Sequence, residues 1–197
     1  MVASLVDSEA RAEIGAVGGV YRERSLADVR LRASVAAHLP AVWRVLRRNG
    51  VPGADADDAT QRVFLVLSRK LAEVPAGREL PFLLRTAVLV ASETRRSHRR
   101  RREVSDPSPE VHLSTSPGPE RELLQREALS QLDAVLAELD ESVRAVFVLY
   151  ELEEMTMAAI AETLELPPGT VASRLRRARE RFEELALVVR EDPGGPS

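Results

Sequence analysis

Between Glu103 and Arg121 the chain places Pro107, Pro109, Pro117 and Pro119 among several serines and few large apolar residues. Each proline fixes φ and removes a backbone donor, so neither a helix nor a central strand can run through such a stretch. The stretch reads as an extended, semi-rigid linker, and whatever folds must fold separately on either side of it. Of the 197 residues 44% are hydrophobic, enough for each side to bury a small core.

Both sides read as helix. Aromatics are few, period-2 alternation is slight, and Ala, Leu, Arg and Glu abound. The expected fold class is all-α, with two small helical domains joined by a flexible linker. Met1 to Ser25, with Gly18-Gly19 and no sustained period, is predicted as an N-terminal tail or one loose helix. Leu39, Val42, Trp43 and Leu46 then recur at helical spacing up to a stop at Asn49-Gly50, with Pro40 opening or kinking the segment. A second helix is predicted to start near Asp55 to Asp58 and to point Ala59, Val63, Phe64, Leu67 and Leu71 inward, breaking at Pro75 to Gly77. A third starts near Pro81 and carries Phe82, Leu83, Thr86 and Val90 into an Arg-rich stretch. Past the linker, Leu132, Val135, Leu136 and Leu139 form one stripe, and Val143, Val146, Phe147 and Tyr150 form another after a cap at Asp140.

Charge is segregated. Arg85 to Arg102 holds seven Arg against Glu93 alone, and Thr170 to Arg181 holds five Arg against Glu180, although the whole chain carries a formal charge of −3. Two basic islands in an acidic chain fit contact with a polyanion, because each guanidinium near a phosphate releases counterions. Cysteine is absent, which excludes disulfides and thiolate chemistry, and His38, His98 and His112 are too scattered to suggest a ligand set. No metal, cofactor or catalytic group is expected. No apolar run approaches a bilayer span, and Met1 to Asp7 lacks the basic start of a signal peptide, so a cytoplasmic protein without membrane insertion is expected.

The most specific signal lies between Thr156 and Leu185. Thr156 can cap a short helix, Met157 to Leu164, a tight turn follows at Glu165-Leu166-Pro167, and a long helix opens at Pro168. In that long helix Val171, Leu175, Ala178 and Phe182 share the packing face, which turns Ala172, Ser173, Arg176, Arg177 and partly Arg174 the other way. Arg can bond guanine through two hydrogen bonds and Ser can bond a phosphate or base edge, so the face suits a major groove. By pattern alone, an ordinary helical hairpin with a solvated Arg face remains the alternative.

The stretch from Leu132 to Leu185, LDAVLAELDESVRAVFVLYELEEMTMAAIAETLELPPGTVASRLRRARERFEEL, closely resembles the promoter-binding domain four of extracytoplasmic-function sigma factors, members of the sigma-70 family. GTVASRLRRAR is similar to the recognition helix of that family. Asp57-Asp58-Ala59-Thr60-Gln61-Arg62-Val63-Phe64 resembles the domain-two helix that docks on the polymerase clamp, with simple capping by the aspartates as the other reading. Pro81 to Arg102 resembles the strand-melting and minus-ten segment, where the loop from Val74 to Leu80 would help hold a flipped base. In isolation, Arg99 to Arg102 reads equally as a nonspecific polybasic run.

The resemblance implies a tail at 1–25, domain two at 26–103, a linker at 104–125, domain four at 126–189 and a tail at 190–197. It implies minus-thirty-five contacts from Thr170, Ser173, Arg174, Arg176, Arg177 and Arg181. For minus-ten recognition and melting it implies Arg78, Arg85, Glu93, Arg95, Arg96, Arg99 and Arg100, and for polymerase binding Asp58, Gln61, Arg62 and Leu65. The implied partners are RNA polymerase core (clamp and flap), promoter DNA as duplex and as non-template single strand, and an anti-sigma factor. Arg62 stands where an acid is common, Leu89 where Asn is, Glu165 where Gly is and Ala172 where a base is. Two other readings are a conventional helix-turn-helix regulator acting without core polymerase, and an enzyme such as a nuclease, for which no carboxylate cluster beyond Asp55 to Asp58 is available.

Overall fold

A computed structural model describes the backbone of residues 3–104 and 120–191 and the side chains of residues 26–101 and 129–184. The first module is three helices, α1 (Ala3–Arg48), α2 (Gly53–Lys70) and α3 (Glu79–Val104). The second comprises α4 (Glu120–Ala137), α5 (Glu141–Phe147), a π-helical turn at Val148–Leu152, α6 (Met157–Leu164) and α7 (Pro168–Glu191). There is no strand among the described residues. Of the predicted linker, 105–119 lies outside the described residues and the rest is helical backbone at the ends of α3 and α4; of the predicted C-terminal tail, 192–197 lies outside them.

The first module closes on the expected faces. Ala59, Val63, Phe64, Leu67 and Leu71 of the second predicted helix are all buried, against Leu83, Ala87, Val90 and Ala91 of α3 and Val42, Val45 and Leu46 of α1. Leu39 and Trp43, expected inward, remain exposed at 44% and 39%. Pro40 does not open its segment: it lies inside α1, which is helical from Ala3. A proline there deletes one donor, and the buried turns on its C-terminal side keep the helix intact. The stop at Asn49-Gly50 is as expected. Asn49 Nδ2 donates to the Val45 carbonyl at 2.8 Å, and Gly50 takes φ +87°, a conformation in which a side chain would run into Arg144.

The loop between α2 and α3 is held by one arginine from α1. Arg30 donates through Nη1 to the Leu71 carbonyl at 3.1 Å, through Nη2 to the Val74 carbonyl at 2.5 Å, and through Nε to Glu79 Oε1 at 2.6 Å. Nothing in the periodicity of α1 distinguishes Arg30 from its neighbours, so the sequence carries no signal for this role. Burial opposes ionisation of the Glu79 carboxyl, but the hydrogen bond from Arg30 and those from backbone N–H groups outweigh it and hold the group below its usual 4.5.

In the second module Val135, Leu136, Leu139, Val143, Val146 and Phe147 are buried as predicted. Asp140 occupies the position before α5 but makes no side-chain cap; its carboxylate instead faces Arg177 at 3.8 Å. The capping work nearby falls to Arg144, whose Nη2 donates to the carbonyls of Ala137 and Leu139 at 2.7 and 2.8 Å, the last turn of α4 and its exit. Arg144 is only 5% exposed, and burial, together with repulsion from Arg95, pulls its pKa down to about 10.

The two modules, expected as independent bodies, share one continuous buried apolar cluster. Their contact is also electrostatic, since α1 and α3 present arginines where the second module presents acids.

The depressed Glu79 carboxyl ties stability to pH. Its contribution is complete above 4.5 and is lost as the pH falls through the lower folded-state value. Glu79→Gln is therefore expected to destabilise the fold by about 1–3 kcal/mol at neutral pH, the loss of a hydrogen bond to a charged group, read as a lower urea midpoint. The difference from the parent should shrink below pH 4.5, as parallel urea titrations would show.

Candidate nucleic-acid interface

The helix-turn-helix is built as its residues dictate. Thr156 is extended, and its Oγ1 accepts from the Ala159 amide at 3.2 Å, closing the first turn of α6. Glu165 ends α6 in the left-handed conformation, φ 52° and ψ 48°, which costs a non-glycine residue about 1 kcal/mol. Leu166 then sends its amide back to the Ala161 carbonyl at 2.9 Å, and Pro168 opens α7.

On α7, Val171, Leu175 and Ala178 are buried, and Phe182 stacks on Phe147 with ring centroids 5.0 Å apart. That packing leaves Ser173, Arg176, Arg177 and Arg181 exposed on one side. Among the described residues Arg176 and Arg181 pair with acids of their own helix, Glu180 at 3.1 Å and Glu184 at 2.9 Å, and the Ser173 hydroxyl donates to the Thr170 carbonyl at 3.0 Å. Such exposed pairs are weak, so a phosphate or guanine edge can replace them. Thr170 is half-buried, and Arg174 turns aside into a groove of about 270 Å³ between the modules.

The predicted minus-ten residues divide into two sets. Glu93, Arg96, Arg99 and Arg100 are exposed along the outer part of α3. Arg78, Arg85 and Arg95 are engaged by the second module: Arg78 Nη2 lies 2.6 Å from Glu162, Arg85 Nη2 lies 2.7 Å from Glu165, and Arg95 Nη2 lies 3.0 Å from Glu141. Burial lowers the pKa of Arg95, and the nearby Glu141 offsets part of that. The loop at Val74 to Leu80 turns at Gly77, φ +81°, with nothing within 4 Å of where a side chain would go.

On α2, Asp58, Gln61, Arg62 and Leu65 all lie on the outer face, Leu65 at 45% exposure. Arg62 is not wholly free, for its Nη2 donates to Thr94 Oγ1 of α3 at 2.6 Å. No aspartate caps the helix: the residue before it is Pro52, Asp57 accepts from Trp43 Nε1 at 3.2 Å, and Asp55 lies 2.7 Å from His98 Nε2. Among the described residues no group of three or more His, Asp or Glu could hold a metal ion.

Residues 129–182 match the family model described as sigma-70, region 4. The chain is 29% identical over 151 residues to the ECF RNA polymerase sigma factor SigE of Mycolicibacterium smegmatis, covering 76% of this chain and 59% of the relative. It is 29% identical over 155 residues to the RNA polymerase sigma factor NccH of Alcaligenes xylosoxydans xylosoxydans, covering 77% and 83%. The chain is thus similar to extracytoplasmic-function sigma factors.

Its fold is shared with the sigma factor RpoE of Bartonella quintana, solved in complex with the anti-sigma factor NepR: TM-score 0.65 at 20% identity, over 80% of this chain and 96% of that one. The names domain two, for α1 to α3, and domain four, for α4 to α7, are taken from the helical domains of the sigma factors that the chain resembles. The chain spans 59% of the length of the SigE relative. No helix among the described residues is long and apolar enough to cross a membrane.

Thr156 caps α6 through its side chain. Thr156→Ala should cost domain four about 1 kcal/mol, seen as a lower urea midpoint with an unchanged slope.

Proposed function

We infer that this sigma factor binds RNA polymerase core and directs promoter-specific initiation, with α7 in the minus-thirty-five element and α3 with its preceding loop on the minus-ten non-template strand. The observation that carries the reading is the exposed basic face of α7, inside the segment that matches sigma-70 region 4. A recognition helix inserts its N-terminal half into the major groove, and Ser173, Arg176 and Arg177 stand on that part of α7. The exposed Asp58, Gln61, Arg62 and Leu65 form the clamp-docking face, and the flap is the further polymerase contact. The factor supplies binding energy and specificity, and nucleotidyl transfer belongs to the polymerase.

The anti-sigma partner is part of the same proposal. It is supported by the shared fold with RpoE, a sigma factor solved with an anti-sigma protein. A cytoplasmic location follows from partnership with the polymerase.

Run-off transcription with core polymerase and promoter fragments selected from genomic DNA tests the reading. The chain is expected to confer specific initiation, and no binding of core by the free protein would overturn it. Within that assay, Arg177→Ala is expected to cost about 1–3 kcal/mol and relax preference at one base pair if it reads a base, or to weaken all sequences alike if it holds a phosphate.

A further inference from the structure

One face of α3 passes domain four without closing on it. Val88, Leu89, Ser92 and Arg95 recur there at helical spacing and form one wall of the groove of about 270 Å³. The other wall is Ala145 of α5, Leu164 and Leu166 around the end of α6, and Arg174 of α7. Packed elements leave few voids of that size, and this one lies just below the range of about 300–1,000 Å³ usual for small-molecule pockets. A ligand there has to be small.

The charges around the groove do not cancel. Arg85 is taken up by Glu165, which lies 2.7 Å from its Nη2. Glu141 gives one oxygen to Arg95 Nη2 at 3.0 Å and accepts the Ser92 hydroxyl with the other at 2.8 Å. Arg174 reaches into the groove half-buried and pairs with no carboxylate among the described residues. Three guanidinium groups thus meet two carboxylates, both engaged, and the shortfall is a single negative charge. Behind this wall the buried Arg144 donates to the carbonyls of Ala137 and Leu139, and it adds a further positive charge near Arg95. The positions are partly withdrawn from water, so an anion placed among them is screened less than on an open surface.

The remaining lining is mostly hydrocarbon, from Val88, Leu89, Leu164 and Leu166. A strongly hydrated inorganic anion would lose its water against such walls, and a neutral hydrocarbon would leave Arg174 without a partner. We propose that the groove binds a small organic monoanion, one carboxylate on an apolar body, with the carboxylate on Arg174 and the body against Leu89, Leu164 and Leu166. Each domain supplies one wall, so neither makes the site alone. A ligand of this kind stabilises the packed chain in proportion to its concentration.

The full chain with labelled Leu and Val methyl groups, titrated with octanoate and separately with naphthoate, tests the site by NMR. At least one acid should shift the methyl signals of Val88, Leu89, Leu164 and Leu166 saturably and raise the thermal melt as its concentration rises. The tighter of the two identifies the body as alkyl or aryl. Octanol, which has the same body and no charge, should bind about tenfold more weakly than octanoate, and Arg174→Gln should lose about tenfold in affinity for the acid. Leu89 is 55% exposed, so Leu89→Glu should keep the parent's melt while supplying the missing carboxylate and abolishing binding of either acid.

The proposal fails if neither acid gives saturable shifts at these methyl groups. It fails equally if octanol or inorganic phosphate binds there as tightly as octanoate, or if Arg174→Gln and Leu89→Glu both bind the acid like the parent.

Discussion

A short helix in water is marginal unless one face is buried, and the choice of that face decides everything that is left to solvent. On α7 the burial of Val171, Leu175 and Ala178, extended by Phe182 stacked on Phe147, commits the opposite side, with Ser173, Arg176 and Arg177, to the outside. On α2 the burial of Ala59, Val63 and Leu67 does the same for Asp58, Gln61 and Leu65. The candidate binding surfaces are thus by-products of packing. Neither requires a strained or preorganised polar network on the helix that carries it.

Polar groups enter the interior only where they satisfy backbone that packing leaves unpaired. Arg30 threads between α1 and the loop after α2, and Arg144 closes the exit of α4. Both bury part of a charge to do so, and burial together with repulsion from Arg95 lowers the pKa of Arg144. Arg144 also places Nη1 3.5 Å from the Asn49 carbonyl, so the residue that finishes a helix in domain four is the one that touches the helix stop of domain two. That single guanidinium links the internal order of one module to its position against the other.

Much was legible in the chain. The helix-turn-helix from Thr156 to Pro168, the stop at Asn49-Gly50 and the inward faces of α2, α5 and α7 follow from capping chemistry and 3.6-residue periodicity, which are local properties. The errors were also local in form. Pro40 reads as a helix start only without the helical turns that precede it, and Asp140, a favoured capping residue, makes no side-chain cap. Arg30 left no trace, because an arginine that reaches across 41 to 49 residues carries no periodic signature.

By itself, then, the sequence determined the helices, the Thr156 cap and the segregation of charge into basic islands, since each depends on residues a few positions apart. It determined which arginines could face a polyanion. Only the tertiary structure decided which of them are occupied, by setting Arg44, Arg78, Arg85 and Arg95 of one domain against Glu153, Glu162, Glu165 and Glu141 of the other. Pairing between exposed charges far apart in the chain depends on how two surfaces are brought together, and no local preference encodes that.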